Sequence, residues 1–306
     1  RRGRRRERGV SGAAADAAAG AVRAAVRVRV PASTSNLGAG FDCVGVALDL
    51  WLDAEAWQDG DAPTPRLERA GTLRALGDVP AADDLLVRGV ALACAAAGRP
   101  VPTGLALRAT SAIPVARGLG SSAAALVAGA LLADALLALG LGARRVAALC
   151  ATEEGHPDNV APMLLGGAVL GVPDPSGRGD GWAFAALDVH PDLALALAVP
   201  AFGTETRAMR AALPAALPHA DAVRAAGKSA ALVRGLALAD PALLAWALDD
   251  VLHVPHRRAL LPGYDAVCAA ACAAGAWGAT LSGAGSSLVA LAPRGRWAEG
   301  GALDRW

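Results

Sequence analysis

The 306-residue chain holds one lysine, Lys228, beside 28 arginines. Any step that needs a side-chain amine therefore has a single candidate. Lys228 sits in Gly227-Lys228-Ser229, which looks like the tail of a phosphate loop. The leading glycine of G-x-x-x-x-G-K-[ST] would fall at Ala222, and the residues before it read as helix. That motif is excluded. No G-x-G-x-x-G opens a helix near the first strand either, which removes the dinucleotide fingerprint. No C-x-x-C pair occurs among Cys43, Cys94, Cys150, Cys268 and Cys272. These read as small buried side chains rather than a zinc or redox site, and they suit a reducing, cytoplasmic setting. No apolar segment with a cleavage site follows the basic start, which argues against a secretory signal.

Charge is scarce as well. The formal total is +1, but the first ten residues alone contribute +5 through six arginines and one glutamate. The body is therefore mildly acidic, which argues against a nucleic-acid partner. Residues 1–25 read as a disordered Arg/Ala-rich extension. The apolar stretch 119–141 is long enough to raise the question of a membrane span. Asp134 interrupts it and alanine dominates it, so it is expected to be a buried helix with no membrane partner.

What the chain does have is apolar material, 54% of its residues, enough for one large core or two modest ones. Alternation over 22–30 predicts a strand that Pro31 stops, followed by a loop over 31–42. A second strand is expected over Val44–Ala56 and a loop over 58–82. Asp83 and Asp84 open a helix that Gly98 ends. A strand at 105–114, a long helix at 121–139, a helix at about 143–154 and strands at 164–172 and 193–200 follow. After Pro200 helices are predicted over 206–213, 222–238, 241–253 and 264–278. Residues 279–293 read as loop then strand. A strand-rich first half meets a helix-rich second half, so the expected domains are 26–190 and 191–306.

Residues 114–124, PVARGLGSSAA, place two glycines and two serines before the long helix. Glycines let backbone approach an anion, the first helical N–H groups lack partners, and the helix dipole favours negative charge there. With PASTSNLGAGFDCVGVAL from Pro31 and ATLSGAGSSLVAL at 279–291, this segment resembles the three ordered motifs of the GHMP small-molecule kinases. The resemblance runs from about Val26 to about Pro293. It implies an α+β, two-domain fold: a ribosomal-protein-S5-like β-α-β N-terminal domain and a ferredoxin-like C-terminal domain. It also implies ATP bound by Pro114, Val115, Ala116, Arg117, Gly118, Leu119, Gly120, Ser121, Ser122, Ala123 and Ala124.

Four segments resemble the homoserine kinases within that family: SNLGAGFD (35–42), EGHPDNVAP (154–162), TRAMRAALP (206–214) and DDVLHVPHRRALLPGY (249–264). The implied reaction is transfer of the ATP γ-phosphoryl group to the L-homoserine hydroxyl, in threonine biosynthesis. Arg210 and Arg257, with Thr206 nearby, are implied to hold the substrate carboxylate, since guanidinium binds carboxylate bidentately. Asn36, Asp42, His156 and Asp158 are implied for its ammonium and hydroxyl ends. Mg²⁺ would take a hydroxyl from Ser121 or Ser122 and a carboxylate from Glu153 or Glu154, with Glu153 preferred. Asn159 stands where some relatives carry an acid, so no strong base is expected. Positioning dominates, with Asp42 orienting the hydroxyl, and Asp42, Asn159 and Arg210 form the catalytic set.

The third motif departs from the usual S-G-A-G-P-T: Ser286 and Ser287 replace proline and threonine. Serine keeps a hydroxyl at 287, while losing the proline is expected to free the loop. The resemblance further implies a homodimer. The competing readings are a related kinase with another alcohol substrate, and a ligand-binding sensor without catalysis.

Overall fold

The computed structural model describes residues 25–177 and 180–297. The expected extension over 1–25 lies outside the described residues except for Ala25. Strand β1 (Val26–Asn36) pairs antiparallel with β2 (Gly40–Gln58), and the register shifts between Pro31 and Ala32. Pro31 therefore does not stop the strand, because a bulge absorbs a residue with no N–H to give. Most of the predicted loop over 31–42 is strand instead. Residues 30–36 are buried without a break, which small side chains such as Ala32, Ser33 and Ser35 allow.

The first sheet has six strands among the described residues. β2 pairs with β4 (Leu105–Ser111) and β5 (Ala168–Pro173), β4 with β3 (Arg66–Gly71), and β5 with β6 (Trp182–Leu187). β3 lies in the stretch read as loop, and β6 was not foreseen. Helix α1 (Leu85–Ala96) starts at Asp84, whose carboxylate accepts from Leu86 N at 2.8 Å. It crosses α2 (Ser121–Leu137) closely: a Cβ on Gly89 would stand 2.0 Å from Leu126 O, and one on Gly129 1.9 Å from Leu86 O. Those two glycines let the helix backbones touch. α2 is central, flanked by the sheet, α1 and α3 (Gly142–Glu154), which explains why it is apolar all round. Asp134 does not break it. Its carboxylate accepts from Leu141 N and Gly142 N, turning the chain into α3. Among the described residues no helix is long and apolar enough to cross a membrane.

The second sheet orders β7 (Leu193–Ala198), β9 (Leu288–Pro293) and β8 (Gly278–Leu281), all antiparallel, three strands among the described residues. The third motif is therefore strand, tight turn, strand. After α4 (Val160–Leu165), five helices among the described residues accompany this sheet: α5 (Thr206–Ala211), α6 (His219–Leu238), α7 (Pro241–Leu248), α8 (Val254–Arg257) and α9 (Tyr264–Ala273). α7 stops five residues earlier than predicted. Lys228 on α6 explains the stop: its Nζ donates to Trp246 O at 2.9 Å and to the carbonyl and carboxylate of Asp249. The lone lysine is a cation on a helix C-terminus. A shared core joins the two sheets, with Leu37 and Val44 against Leu232, Leu244, Leu248 and Val289.

Candidate active site

The three glycine-bearing motifs meet at one point. Thr34 Oγ1 and Ser282 Oγ are 2.8 Å apart, and Ser282 Oγ also lies 2.7 Å from Gly118 O. Asn36 Nδ2 donates to Gly283 O at 2.9 Å, and Gly283 N donates to Ser35 O at 3.0 Å. Ser287 N donates to Arg117 O at 3.1 Å. The loop holding Ser286 is not free. Ser286 Oγ donates to Phe202 O at 2.5 Å, and Ser282 N to Ser287 O at 2.9 Å. Hydrogen bonds replace the proline as the restraint. Ser287 is fully buried with an unpartnered hydroxyl and does not line the cavity described next.

A cavity of about 520 Å³ opens beside this junction. One end is apolar, walled by Leu67, Leu73, Leu76, Val79 and Leu86. The ion pair of Arg69 with Asp84, 2.5 Å, ties down that wall, and Arg69 Nη2 also donates to Val79 O. The middle is the glycine loop, with Val115, Ala116, Arg117, Gly118, Gly120, Ser121 and Ser122 on the lining. Pro114 is not on it, and Leu119, Ala123 and Ala124 are buried in the core. Those four expected ATP contacts shape the loop from behind. Arg117 is committed too: Nε donates to Pro200 O and Nη2 to Ala201 O, so it staples the glycine loop to the segment that follows β7. Helix α2 starts at Gly120 (φ 72°) with no side-chain cap, and Ala124 N is bonded back to Gly120 O. The first N–H groups of the helix have no intrahelical partner, an arrangement suited to an anion.

The other end is polar. Asp42 and Arg210 form a bidentate pair, at 2.8 and 3.0 Å. His156 Nδ1 lies 2.5 Å from Asp158 Oδ1, and ligand atoms of Asp42, His156 and Asp158 fall within 4.8 Å of one another. Burial works against a charge on His156, but the Asp158 carboxylate outweighs it and holds the imidazolium above its usual range. Asn36 is spent at both ends of its amide, with Oδ1 accepting from Asp42 N at 2.9 Å. It frames the site. Asn159 accepts from Ser33 Oγ at 2.9 Å, and it has no basic atom to take a proton. Thr206 lines the mouth at the start of α5. Arg257 lines the cavity yet is only 1% exposed. Its Nε donates to Met209 O at 3.1 Å, and no carboxylate pairs with it among the described residues. Burial lowers its pKa, and the charge of Arg210 adds to that.

The structure separates the two glutamates. Glu153 is held by Arg88 at 2.7 Å and is absent from the lining, against the preference for it. Glu154 is on the lining, and its carboxylate makes no hydrogen bond within the described residues. Burial pushes its pKa up, with His156 opposing. Sequence reasoning missed the apolar wall because all of it but Leu86 lies in the stretch read as loop. It also missed Phe41 and His253, which flank Arg257.

Comparisons with known proteins give the family. The model of the GHMP kinases N terminal domain matches residues 84–167, and that of the GHMP kinases C terminal matches 231–299. A homoserine kinase of Synechococcus sp. is 44% identical over 87% of this chain and 85% of its own length. That of Moorella thermoacetica is 40% identical over 88% of each. A crystal structure of homoserine kinase from Cytophaga hutchinsonii superposes with a TM-score of 0.76 and 28% identity, over 89% of this chain and 86% of that one. The fold is the two-domain α+β fold of the GHMP kinases, and the chain belongs to their homoserine kinase family.

Proposed function

We propose that the protein transfers the γ-phosphoryl group of ATP to the side-chain hydroxyl of L-homoserine, giving O-phospho-L-homoserine and ADP. Arg257 carries the reading. A buried cation facing a cavity without an acidic partner is costly unless a ligand brings the anion. The α-carboxylate of an amino acid is such an anion. The adjoining Asp42–Arg210 pair suits the rest of a zwitterion. On binding, the carboxylate takes Arg210 and the ammonium takes Asp42, with Asp158 behind it, so each charge exchanges one partner for another. A neutral sugar would leave Arg257 unpaired.

The nucleotide fits the remaining cavity. The apolar end takes the adenine, and the loop from Gly118 to Ser122 places backbone N–H groups around the phosphates. The wall beside them offers hard oxygen donors, the Ser121 and Ser122 hydroxyls and the unpartnered Glu154 carboxylate, a set that fits Mg²⁺. Ser121 and Glu154 would hold the ion, which would neutralise charge between the β and γ phosphates. The protein's own part is alignment. Asp42 orients the hydroxyl, Asn159 accepts from Ser33 and donates to Asp158, and the reaction needs no dedicated strong base. A homodimer belongs to the same proposal, and light scattering at twice the chain mass tests it.

ADP release from ATP and Mg²⁺ with L-homoserine, beside L-serine, mevalonate and galactose, tests the function. Release that depends on homoserine is expected. Release with mevalonate or galactose but not homoserine would sink it, and ATP binding without release would favour a sensor.

A further inference from the structure

Arg257 must point at the substrate, yet it sits on a helix of one turn, which has little stiffness of its own. The turn before it is fixed by Asp250, whose carboxylate accepts from Leu252 N, His253 N and Val254 N at 2.6 to 2.7 Å. That places the His253 ring, wholly buried, between two partners of fixed character. Nε2 lies 3.2 Å from Gly38 O, and Nδ1 lies 3.2 Å from Arg257 Nη1. A carbonyl only accepts and a guanidinium only donates. The ring must donate at Nε2 and accept at Nδ1, which is the neutral Nε2–H tautomer. An imidazolium would meet Arg257 with a second donor. Burial keeps the ring neutral, lowering its pKa to about 4, and the neighbouring Asp250 only partly opposes this.

The ring also stacks on Phe41, with centroids 4.9 Å apart and planes at 21°. Phe41 lies next to Asp42 in the first motif, and the guanidinium carbons of Arg257 and Arg210 stand 5.3 and 6.0 Å from its centroid. Arg257 is thereby held at Nε by Met209, at Nη1 by His253 and on its face by Phe41. Nη2 is the end left for a ligand.

We propose that His253, stacked on Phe41 and bonded to Gly38, is the positioning residue that aims Arg257, and that it thereby sets the preference for substrates with a free α-carboxylate. This rests on the reading of homoserine as substrate and deepens it. Nothing in the reaction passes through the histidine. It acts through the arginine.

The test compares the intact wild-type protein with His253→Phe, which keeps a stacking ring but loses the acceptor, and His253→Gln, which restores an acceptor. KM for L-homoserine, KM for ATP and the preference for L-homoserine over its methyl ester are measured. In His253→Phe, KM for homoserine should rise about tenfold, the ester discrimination should fall about as much, and KM for ATP should stay within about twofold, the size of one charged hydrogen bond lost. His253→Gln should recover most of the discrimination. A purely structural role would move both KM values and leave the discrimination alone. If wild type uses homoserine and His253→Phe discriminates as well as wild type, this inference falls while the substrate reading stands. If wild type ignores homoserine, both fall. Should His253→Phe unfold, Phe41→Leu carries the same expectation, and unchanged ester discrimination there refutes the inference.

Discussion

Two glycines with almost the same backbone test whether the three motifs form one rigid junction. Gly118 has φ 73° and Gly140 has φ 72°, so alanine at either meets the same left-handed strain. That strain is worth about 1–2 kcal/mol. Their surroundings differ. At Gly140 nothing lies within 4 Å of an added Cβ. At Gly118 the Cβ would stand 2.1 Å from Ser282 O and 2.8 Å from both Gly285 N and Gly285 O. All three are backbone atoms of the third motif, so no side chain can swing away. The two loops must part, adding an overpacking cost of about 1–3 kcal/mol. Parting them also breaks the bond from Ser282 Oγ to Gly118 O and moves the loop proposed to cradle phosphate. Gly140→Ala should lose about 1–2 kcal/mol in urea denaturation, and Gly118→Ala about 2–5 kcal/mol. KM for ATP should rise at least about tenfold in Gly118→Ala and stay unchanged in Gly140→Ala. Equal stability losses and equal KM for ATP in the two variants would refute the junction.

Three further outcomes are expected. His253 titrates at about 4 in the fold and near 6.5 in an unfolded chain. Between those values the unfolded chain binds the extra proton, so stability falls as pH drops through that window, by on the order of 3 kcal/mol. Denaturation midpoints against pH should show a shallower acid limb in His253→Phe, and parallel limbs would count against the neutral ring. Glu154→Gln should raise the Mg²⁺ concentration for half-maximal rate at least about tenfold while Glu153→Gln leaves it unchanged. A magnesium titration that reverses that order restores Glu153. Arg69→Met should loosen the apolar wall and raise KM for ATP roughly threefold to tenfold, with KM for homoserine unmoved. Equal shifts in both constants would mean that the ion pair serves the whole fold.

The chemistry was more legible than the architecture. The glycines and serines around 118–122 suit what a phosphate needs, and Gly118, Gly120, Ser121 and Ser122 do line the cavity. Leu119, Ala123 and Ala124 share that motif because the core behind the loop needs them, and a motif does not distinguish front from back. Glu153 and Glu154 differ by one residue, about 100° around a helix, and only packing says which faces the cavity. β3 and β6 are edge strands with mixed exposure; RLERAG shows only a weak apolar pattern, WAFAAL is a short apolar run without alternation, and the apolar wall went unseen with β3. Pro31 read as a stop because pattern alone cannot show a bulge. Phe41 and His253 are far apart in sequence, and no spacing rule joins them before the chain folds.

The central claim is that one cavity holds ATP at its glycine loop and a zwitterionic alcohol at Arg210 and Arg257. The most direct measurement follows phosphorus itself. ³¹P NMR of a mixture of protein, ATP, Mg²⁺ and L-homoserine should show the γ-phosphate signal replaced by a phosphomonoester coupled to the homoserine side-chain methylene, with ADP formed in equal amount. Inorganic phosphate as the sole new signal, or no homoserine-dependent change, would contradict the account.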